Sequence, residues 1–225
     1  MRKPSPLTPE LLLAAYENGY FPMAMAADDP ELYWFSPEER GVLPLEQFNV
    51  PRSLKRAMKT HPYTITTDRD FDAVIRGCGK ITASRDGTWI NAEIIALYSA
   101  VHAMGYAHSV EVWDQEKALV GGLYGVSIGG AFFGESMFSC VPNASKIALV
   151  SLVEILREAG YALLDTQYVN DHLKQFGVEA VPKKNYITKL ENALRASPNP
   201  SSLFSTASVR KGFASASSDN VTCAS

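Results

Sequence analysis

The sequence predicts a mixed α/β (α+β) protein in which a small aromatic-rich N-terminal domain precedes a larger domain with a mostly antiparallel mixed sheet. A short capped helix leads into a loop-rich aromatic segment, helical and strand patterns then alternate, and three strand patterns follow one another directly. These observations predict domains at residues 1–49 and 50–195, and a disordered Ser- and Ala-rich tail at 196–225.

Charge, cysteine spacing and hydropathy argue against three kinds of protein: a generally basic nucleic-acid binder, a zinc protein and a membrane or secreted protein. Lys and Arg number 21 against 24 Asp and Glu, so a nucleic-acid partner would have to meet a local basic patch. The widely spaced Cys78, Cys140 and Cys223 contain no Cys-x-x-Cys pair, which favours a reducing compartment over a zinc site. Because the sequence shows no apolar signal region and no apolar run of about 20 residues, we expect a cytoplasmic protein.

The N-terminal region predicts one short helix and a long irregular segment. Thr8 stands where an N-cap is expected, Pro9 at the first helical position and Gly19 at the stop. Residues 20–49 then interleave prolines with aromatic residues, which is typical of a small core under loops. A wall that faces a ligand is the alternative.

A helix with one basic face is predicted after Pro51. Its basic side chains are spaced by three and four residues, so they share a face that carries no acidic residue. They are Arg52, Lys55, Arg56 and Lys59. A solvated face is the ordinary interpretation of such a run, and an anionic partner is the alternative that the local charge favours.

The remaining elements alternate along the chain. Strands are predicted at 63–67, 107–113, 119–126, 130–134 and 161–165, with turns at 114–117 and 127–129, and helices at 70–76, 91–104, 145–159 and just before Gly177. This order is that of an acetyltransferase-like (GNAT-type) domain. Such a fold-level analogy does not determine function.

Two carboxylates are candidates for chemistry. Asp165 and Gln167 fall on the same side of a predicted strand where it ends, and α/β proteins build their sites at strand ends. Glu135 lies in an apolar run, where a carboxylate is either paired for structure or placed for catalysis. A Gly-x-Ser-x-Gly elbow is missing, and the four histidines lack metal-ligand spacing.

Nine segments read together resemble the leucyl/phenylalanyl-tRNA–protein transferase family. They occur in the family's order over about residues 8–190, and each alone would be a weak signal. They are Tyr16-Glu-Asn-Gly-Tyr-Phe-Pro-Met23, Trp34-Phe-Ser-Pro-Glu-Glu-Arg-Gly-Val-Leu43, Arg52-Ser-Leu54, Gly87-Thr-Trp-Ile90, Ala107-His-Ser-Val-Glu-Val-Trp113, Leu119-Val-Gly-Gly-Leu-Tyr-Gly-Val126, Gly134-Glu-Ser-Met-Phe-Ser139, Asn143-Ala-Ser-Lys146 and Leu164-Asp-Thr-Gln167.

The resemblance implies an aminoacyltransferase of the cytoplasm. Such an enzyme moves leucine or phenylalanine, and methionine less well, from charged tRNA to the N-terminal Arg or Lys of a protein, which marks that protein for N-end-rule degradation. Because the aminoacyl ester is already activated, no metal, ATP, acetyl-CoA or other cofactor is implied. We expect a monomer that does not bind membranes.

The resemblance also implies roles for individual residues. Asp165 and Gln167 match the catalytic pair, which orients the acceptor amine and takes its proton, while Glu135 either anchors the cationic acceptor or steadies the pair. Trp34 and Trp89 match the tryptophans that hold the 3′-terminal adenosine by stacking. The aminoacyl pocket corresponds to Leu123, Phe132, Leu149 and Leu152, and the basic helix face to the grip on the acceptor-stem phosphates.

The sequence differs from the usual family pattern at two positions, and two alternative functions remain to be weighed against the transferase function. Cys140 stands where the family usually has Arg, and Thr166 where it usually has Cys. An acetyl-CoA-dependent N-acetyltransferase would share the predicted fold, but the sequence lacks a pyrophosphate-binding loop before a helix. A catalytically silent RNA-binding module would keep the basic face and the tryptophans, but the intact Asp165 and Gln167 argue against it.

Overall fold

A computed structural model describes residues 7–24, 32–60, 63–81, 87–198 and 210–211. The helices are α1 (Pro9–Glu17), α2 (Arg52–Thr60), α3 (Phe71–Gly79), α4 (Ala92–Ala103), α5 (Ala144–Ala159), α6 (Asp171–Lys174) and α7 (Lys183–Leu194). The strands are β1 (Phe21–Ala24), β2 (Leu32–Phe35), β3 (Glu39–Val42), β4 (Thr64–Thr67), β5 (Ala107–Trp113), β6 (Leu119–Ile128), β7 (Ala131–Ser139), β8 (Leu163–Gln167), β9 (Glu179–Pro182) and β10 (Arg210–Lys211).

The N-terminal helix begins and ends as its sequence predicts. The Thr8 hydroxyl accepts the backbone N–H of Leu11 at 3.3 Å, and Gly19 takes a positive φ of 77° just after the last turn. The segment that follows was predicted to be irregular, and this prediction is wrong, because it contains β1, β2 and β3. Strands of four residues are too short to show a clear alternation of polar and apolar side chains.

The large sheet has the order β10-β4-β5-β6-β7-β8-β3-β9, while β1 and β2 form a separate antiparallel pair. Every neighbouring pair of the large sheet is antiparallel except β7 and β8, which are parallel. The prediction of a mixed and mostly antiparallel sheet is therefore confirmed.

The two parallel strands pair over only three positions, from Ala131 with Leu163 to Phe133 with Asp165. Beyond Phe133, β7 continues to Ser139 with β6 as its partner. A gap therefore opens between β7 and β8 at their carboxyl ends. The prediction that β7 ends at residue 134 is wrong, because Tyr124 and Gly125 of β6 pair with Ser136 and Gly134, which makes Glu135 the extra residue of a bulge that interrupts the alternation in β7.

Two cores lie on opposite faces of the sheet, because successive strand residues point to opposite sides. Tyr124 and Phe133 belong to the first core, which α1, α3, α4 and α7 cover. Leu123, Phe132 and Leu164 belong to the second core, which α2, α5 and α6 cover. The gap between β7 and β8 lies where both cores meet the end of the sheet.

The predicted domain boundary and tail stay predictions. Strand β3, at residues 39–42, lies in the large sheet although the predicted N-terminal domain runs to residue 49. In the tail, Arg210–Lys211 pair with β4, and the other residues of 199–225 lie outside the described residues. No helix in the described part of the chain is long and apolar enough to cross a membrane.

Candidate active site

The gap between the parallel strands brings Glu135 and Gln167 together. Each lies two residues beyond the last parallel pair, Phe133 with Asp165. The Gln167 side-chain amide donates to Glu135 Oε1 at 3.3 Å. Gln167 has a φ of 57°, a left-handed conformation that is uncommon outside glycine and concentrates at functional sites. The two side chains that the sequence analysis treated as separate candidates therefore form one unit.

A cavity of about 240 Å³ opens at this unit. Its polar lining residues are Glu135, Ser136, Thr166, Gln167, Asn170 and His172. Its apolar wall comprises Leu123, Met137, Leu149, Leu152, Leu164 and Leu173, and Trp89 also lines it. The volume is below the range of about 300–1,000 Å³ that holds a whole drug-sized ligand, so the cavity suits one apolar side chain.

Glu135 titrates in the range where a general base is useful. Burial raises its pKa to about 7; the Tyr16 and Tyr98 hydroxyls oppose this rise, the Asp165 carboxylate adds to it, and the Arg40 guanidinium opposes it. A group with a pKa near the working pH is present in both protonation states. Glu135 can therefore accept a proton at the head of the cavity and release it again.

Two buried tyrosines hold the Glu135 carboxylate from the first core. The Tyr98 hydroxyl of α4 donates to Glu135 Oε2 at 3.1 Å, and it lies 2.6 Å from the Tyr16 hydroxyl of α1. Since Tyr98 donates its proton to the carboxylate, Tyr16 donates to Tyr98. Burial raises the pKa of both tyrosines well above the ordinary value, so both remain protonated donors.

Asp165 is fully buried and points away from the cavity, into the first core. Its Oδ1 accepts from Arg40 Nε at 2.9 Å and from the Gln167 backbone N–H at 2.8 Å. Its Oδ2 accepts from Arg40 Nη2 at 2.8 Å and from the Tyr186 hydroxyl at 2.6 Å. Both carboxylate oxygens are thus occupied by donors of the protein itself.

Arg40 reaches this carboxylate from β3 and is 1% exposed. Its guanidinium carbon lies 4.5 Å from the Phe21 ring centre and 4.7 Å from that of Tyr186. Burial lowers the pKa of Arg40, but the charge and hydrogen bonds of Asp165, together with Tyr186 and Tyr16, raise it, so the pKa of Arg40 is raised on balance. The sequence analysis assigned Arg40 no role, although two signals were available: it lies in the family segment at 34–43, and it directly precedes the apolar run at 41–43.

Sequence reasoning also missed Tyr16, Tyr98 and Tyr186, because a buried tyrosine in a helix gives no sign of its distant partners. Thr166, where the family usually has Cys, lines the cavity, and its hydroxyl oxygen has no hydrogen-bond partner among the described residues. A thiol would tolerate that position more readily than a hydroxyl.

The cavity is lined by some, but not all, of the residues predicted for the aminoacyl pocket and the adenosine site. Leu123, Leu149 and Leu152 line the cavity, whereas Phe132 is fully buried in the same core and does not form its wall. Trp89 lines the cavity. Trp34 lies on β2 of the small sheet, away from the cavity wall, and is 39% exposed.

The basic face of α2 has the predicted geometry. All four of its basic side chains are exposed, while Leu54 is buried and Met58 packs against the second core. None of the ion pairs within the described part of the chain involves the four: Arg52, Lys55, Arg56 and Lys59. Because Leu54 and Met58 pack in the second core, α2 lies on the α5 side of the sheet, the side that also holds the apolar wall of the cavity.

The histidines and acidic residues form no metal centre among the described residues. His102 bonds the Ala107 carbonyl and His108 bonds Asp68, as structural histidines do. His172 lines the cavity, where burial and then the nearby Lys146 charge lower its pKa. His61 lies outside the described residues.

Comparisons with known proteins identify relatives of this chain. The leucyl/phenylalanyl-tRNA protein transferase family matches residues 42–191, and the N-terminal domain of that family matches residues 5–38. The leucyl/phenylalanyl-tRNA–protein transferase of Paramagnetospirillum magneticum is 53% identical over 189 residues, which cover 84% of this chain and 90% of that protein. That of Nitrobacter winogradskyi is 52% identical over 190 residues, 84% of each chain.

Among solved structures, that of L-PGS from Bacillus licheniformis is similar with a TM-score of 0.41 and 13% identity, and the match covers 81% of this chain and 62% of that one. This likeness is too low to test the acetyltransferase-like fold, which stays a prediction. The family is determined by sequence, since its model matches most of the chain and the relatives share about half of their residues with it. The chain belongs to the leucyl/phenylalanyl-tRNA protein transferase family.

Proposed function

We propose that this chain transfers leucine or phenylalanine from aminoacyl-tRNA to the α-amine of proteins that begin with Arg or Lys. The observation that carries the proposal is the hydrogen-bonded Glu135 and Gln167 at the head of an apolar cavity, in a gap of the sheet. We place the reaction in the cytoplasm, where its product is a substrate for N-end-rule degradation.

The reaction exchanges an ester for an amide. The acceptor nitrogen attacks the ester carbonyl, the C–N bond forms, and the bond between that carbon and the tRNA 3′ oxygen breaks. The amine gives up one proton, and the released 3′ hydroxyl gains one. An α-amine has a reference pKa of about 7.7–8.0, so part of it is neutral at pH 7 and alignment supplies much of the rate.

We assign the proton transfer to Glu135. It faces the cavity, and its pKa of about 7 allows it to accept the amine proton and pass it to the leaving oxygen. Gln167 orients the attacking amine through its side-chain amide. Asp165 acts through Gln167, whose backbone N–H it accepts, because the Asp165 carboxylate itself does not line the cavity.

The donor binds on the α5 side of the sheet. Its aminoacyl side chain enters the cavity and contacts Leu123, Leu149 and Leu152, and Phe132 belongs to the same core as these leucines. Trp89, at the cavity, stacks on the terminal adenosine. Trp34, on β2 of the small sheet, is the second tryptophan that we assign to the adenosine. The basic face of α2 contacts acceptor-stem phosphates, which makes binding strongly dependent on salt and weakly dependent on sequence.

A transfer assay tests this function. Labelled Leu-tRNA and a peptide that begins with Arg should yield a labelled peptide, and treatment with RNase should abolish the product. The matched control is the same peptide with an acetylated N-terminus, which has no free α-amine. Two outcomes would contradict the proposal. One is labelled peptide formed from free leucine and ATP without tRNA, and the other is no labelled peptide from either donor.

The same assay separates the two other functions. Incubation with labelled acetyl-CoA should give no labelled peptide, whereas an N-acetyltransferase would produce one. A silent RNA-binding module would retain the charged tRNA on a filter and transfer nothing.

A further inference from the structure

A buried ion pair stands directly behind Gln167. Arg40 and Asp165 are 1% and 0% exposed, and the guanidinium meets the carboxylate through both Nε and Nη2. Tyr186 adds a hydrogen bond from α7, and Arg40 Nη1 donates to the Gly19 carbonyl at 3.1 Å. The pair therefore links the α1–β1 turn, β3 and α7 to the end of β8.

We propose that Arg40 and Tyr186 are positioning residues that hold the Asp165 carboxylate in place, so that it fixes the left-handed turn at Gln167; we call this arrangement the clamp. The clamp, and not a proton transfer to Asp165, is how this carboxylate supports the reaction. This inference rests on the proposed function.

The backbone at this turn needs such a clamp. Gly41 and Val42 are consecutive on β3, but they pair with Gln167 and Asp165, so Thr166 is the extra residue of a bulge. A Cβ on Gly41 would lie 2.6 Å from the Tyr168 carbonyl carbon, which shows how closely the two strands approach there. The Gln167 backbone N–H then turns back to Asp165 Oδ1, so the carboxylate ties the turn together.

Charge balance gives Arg40 a second effect on the site. The groups that shift the pKa of Glu135 are Tyr16 of α1, Tyr98 of α4, Asp165 of β8 and Arg40 of β3. Two further titratable groups, Tyr124 of β6 and His172 of α6, line the same cavity and are unchanged in every variant. Asp165 raises the pKa of Glu135, and Arg40 lowers it. Loss of the Arg40 charge alone would leave the Asp165 charge uncompensated and would make Glu135 harder to ionise.

The decisive experiment compares Arg40→Gln, Asp165→Asn and the double variant in single-turnover transfer. In Asp165→Asn, an amide N–H group faces the Arg40 donors, and the buried cation is left without its anionic partner. In the double variant, the two introduced amides can bond each other, and the side-chain oxygen at position 165 can still accept from the Gln167 backbone. We expect each single variant to lose about 10²-fold in kcat through misplacement, and the double variant to return to within about tenfold of the wild type.

The pH profile gives a readout that a merely structural role would not move. In Arg40→Gln, the acid limb of kcat should shift to higher pH, and in the double variant it should return toward the wild-type position. The acceptor amine titrates in all variants alike, so the differences between them report Glu135.

Two outcomes would overturn the clamp while leaving the proposed function intact. One is a double variant as slow as Asp165→Asn, which is the result expected if Asp165 itself accepts the proton. The other is an acid limb that stays in place in every variant. A wild-type enzyme that transfers nothing would overturn the proposed function and the clamp together.

A conservative variant keeps the test independent of folding. Tyr186→Phe removes the hydrogen bond to Asp165 and keeps the ring beside Arg40, so we expect about tenfold lower kcat and an unchanged donor Kd. The matched control is Tyr161→Phe, which removes a buried hydroxyl bond of the same 2.6 Å length, to Ser127, away from the site. Equal kcat for these two variants would contradict the positioning role of Tyr186.

Discussion

The two faces of the sheet contribute to the site in opposite ways. On the first face, buried charges and hydroxyls are joined by short directional bonds: Arg40, Asp165 and Tyr186 form one group, and Tyr16, Tyr98 and Glu135 another. On the second face, leucines line the cavity, and α2 presents exposed basic side chains beside α5. The same strands carry both sets, because alternate residues point to opposite faces.

This difference indicates how the work of the enzyme is divided. A buried hydrogen-bonded network tolerates little change, since an unsatisfied polar partner is costly and geometry sets the rate. An apolar wall and an exposed basic face respond gradually, because one methylene or one phosphate contact changes binding by a modest factor. Variants on the first face should therefore change turnover, and variants on the second face should change donor affinity and choice.

The largest effect is expected for Glu135→Gln. If this carboxylate takes the amine proton, kcat should fall about 10²- to 10⁴-fold while donor Kd stays nearly constant. Single-turnover transfer and filter binding of charged tRNA measure the two quantities. If Glu135 instead anchors the cationic acceptor, the loss should appear in the KM of the peptide.

Glu111→Gln is the matched control for that variant. Glu111 is a fully buried carboxylate whose pKa, like that of Glu135, is raised mainly by burial, and it accepts hydrogen bonds from Ser109 on β5 and Thr66 on β4. Its replacement should lower stability and leave kcat unchanged. An equal fall in kcat for both variants would show that general damage to buried polar groups, and not base catalysis, explains the loss.

The next effect concerns the basic face of α2. Replacing Lys55, Arg56 and Lys59 by Ala should weaken donor binding about tenfold or more and flatten its salt dependence, since each phosphate contact releases about one counterion. Binding across a range of salt concentrations gives the slope. The control removes the same charge from α7 and its C-cap by replacing Lys184, Lys189 and Arg195. An equal change in slope there would indicate a non-specific effect.

A smaller change is expected from Leu123→Ala in the cavity wall. The wider cavity should favour phenylalanine over leucine by about tenfold in kcat/KM, because one to a few methylenes are worth about 1–3 kcal/mol. Competition between Leu-tRNA and Phe-tRNA measures the ratio. Leu156→Ala creates a similar loss in the same core without touching the cavity, so its ratio should stay that of the wild type.

The smallest effect is on the pH dependence of stability. The pKa of Glu135 is raised from 4.5 to about 7 in the folded state, so the folded protein binds this proton more tightly than the unfolded chain. The resulting stabilisation is complete below about pH 4.5 and is lost as the pH rises through about 7. Compared with Glu135→Gln, the wild type should therefore lose more Tm between pH 5 and pH 8; an equal loss would contradict the raised pKa.

The sequence by itself determined the elements whose signals are local. The Thr8 cap, the spacing of basic residues on α2 and the run of β5, β6 and β7 follow from backbone geometry within a few residues. It also singled out Glu135 and Gln167, because a carboxylate in an apolar run and polar residues at a strand end conflict with their surroundings. Three residues of the cavity wall, Leu123, Leu149 and Leu152, came from the family resemblance instead. The nine family segments pointed to the transferase family, which the comparisons confirm.

Only the tertiary structure decided which of these residues share the cavity. The separation of β7 from β8 directs Glu135 and Gln167 toward each other, and it depends on a bulge and a left-handed residue that no local pattern announces. Arg40 and Asp165 are 125 positions apart, and Tyr16 and Tyr98 are 82 apart. Which residues pair across such sequence separations depends on how whole helices and strands pack. A buried ionised or hydroxyl group is stable only where a complementary group in the core forms a hydrogen bond with it.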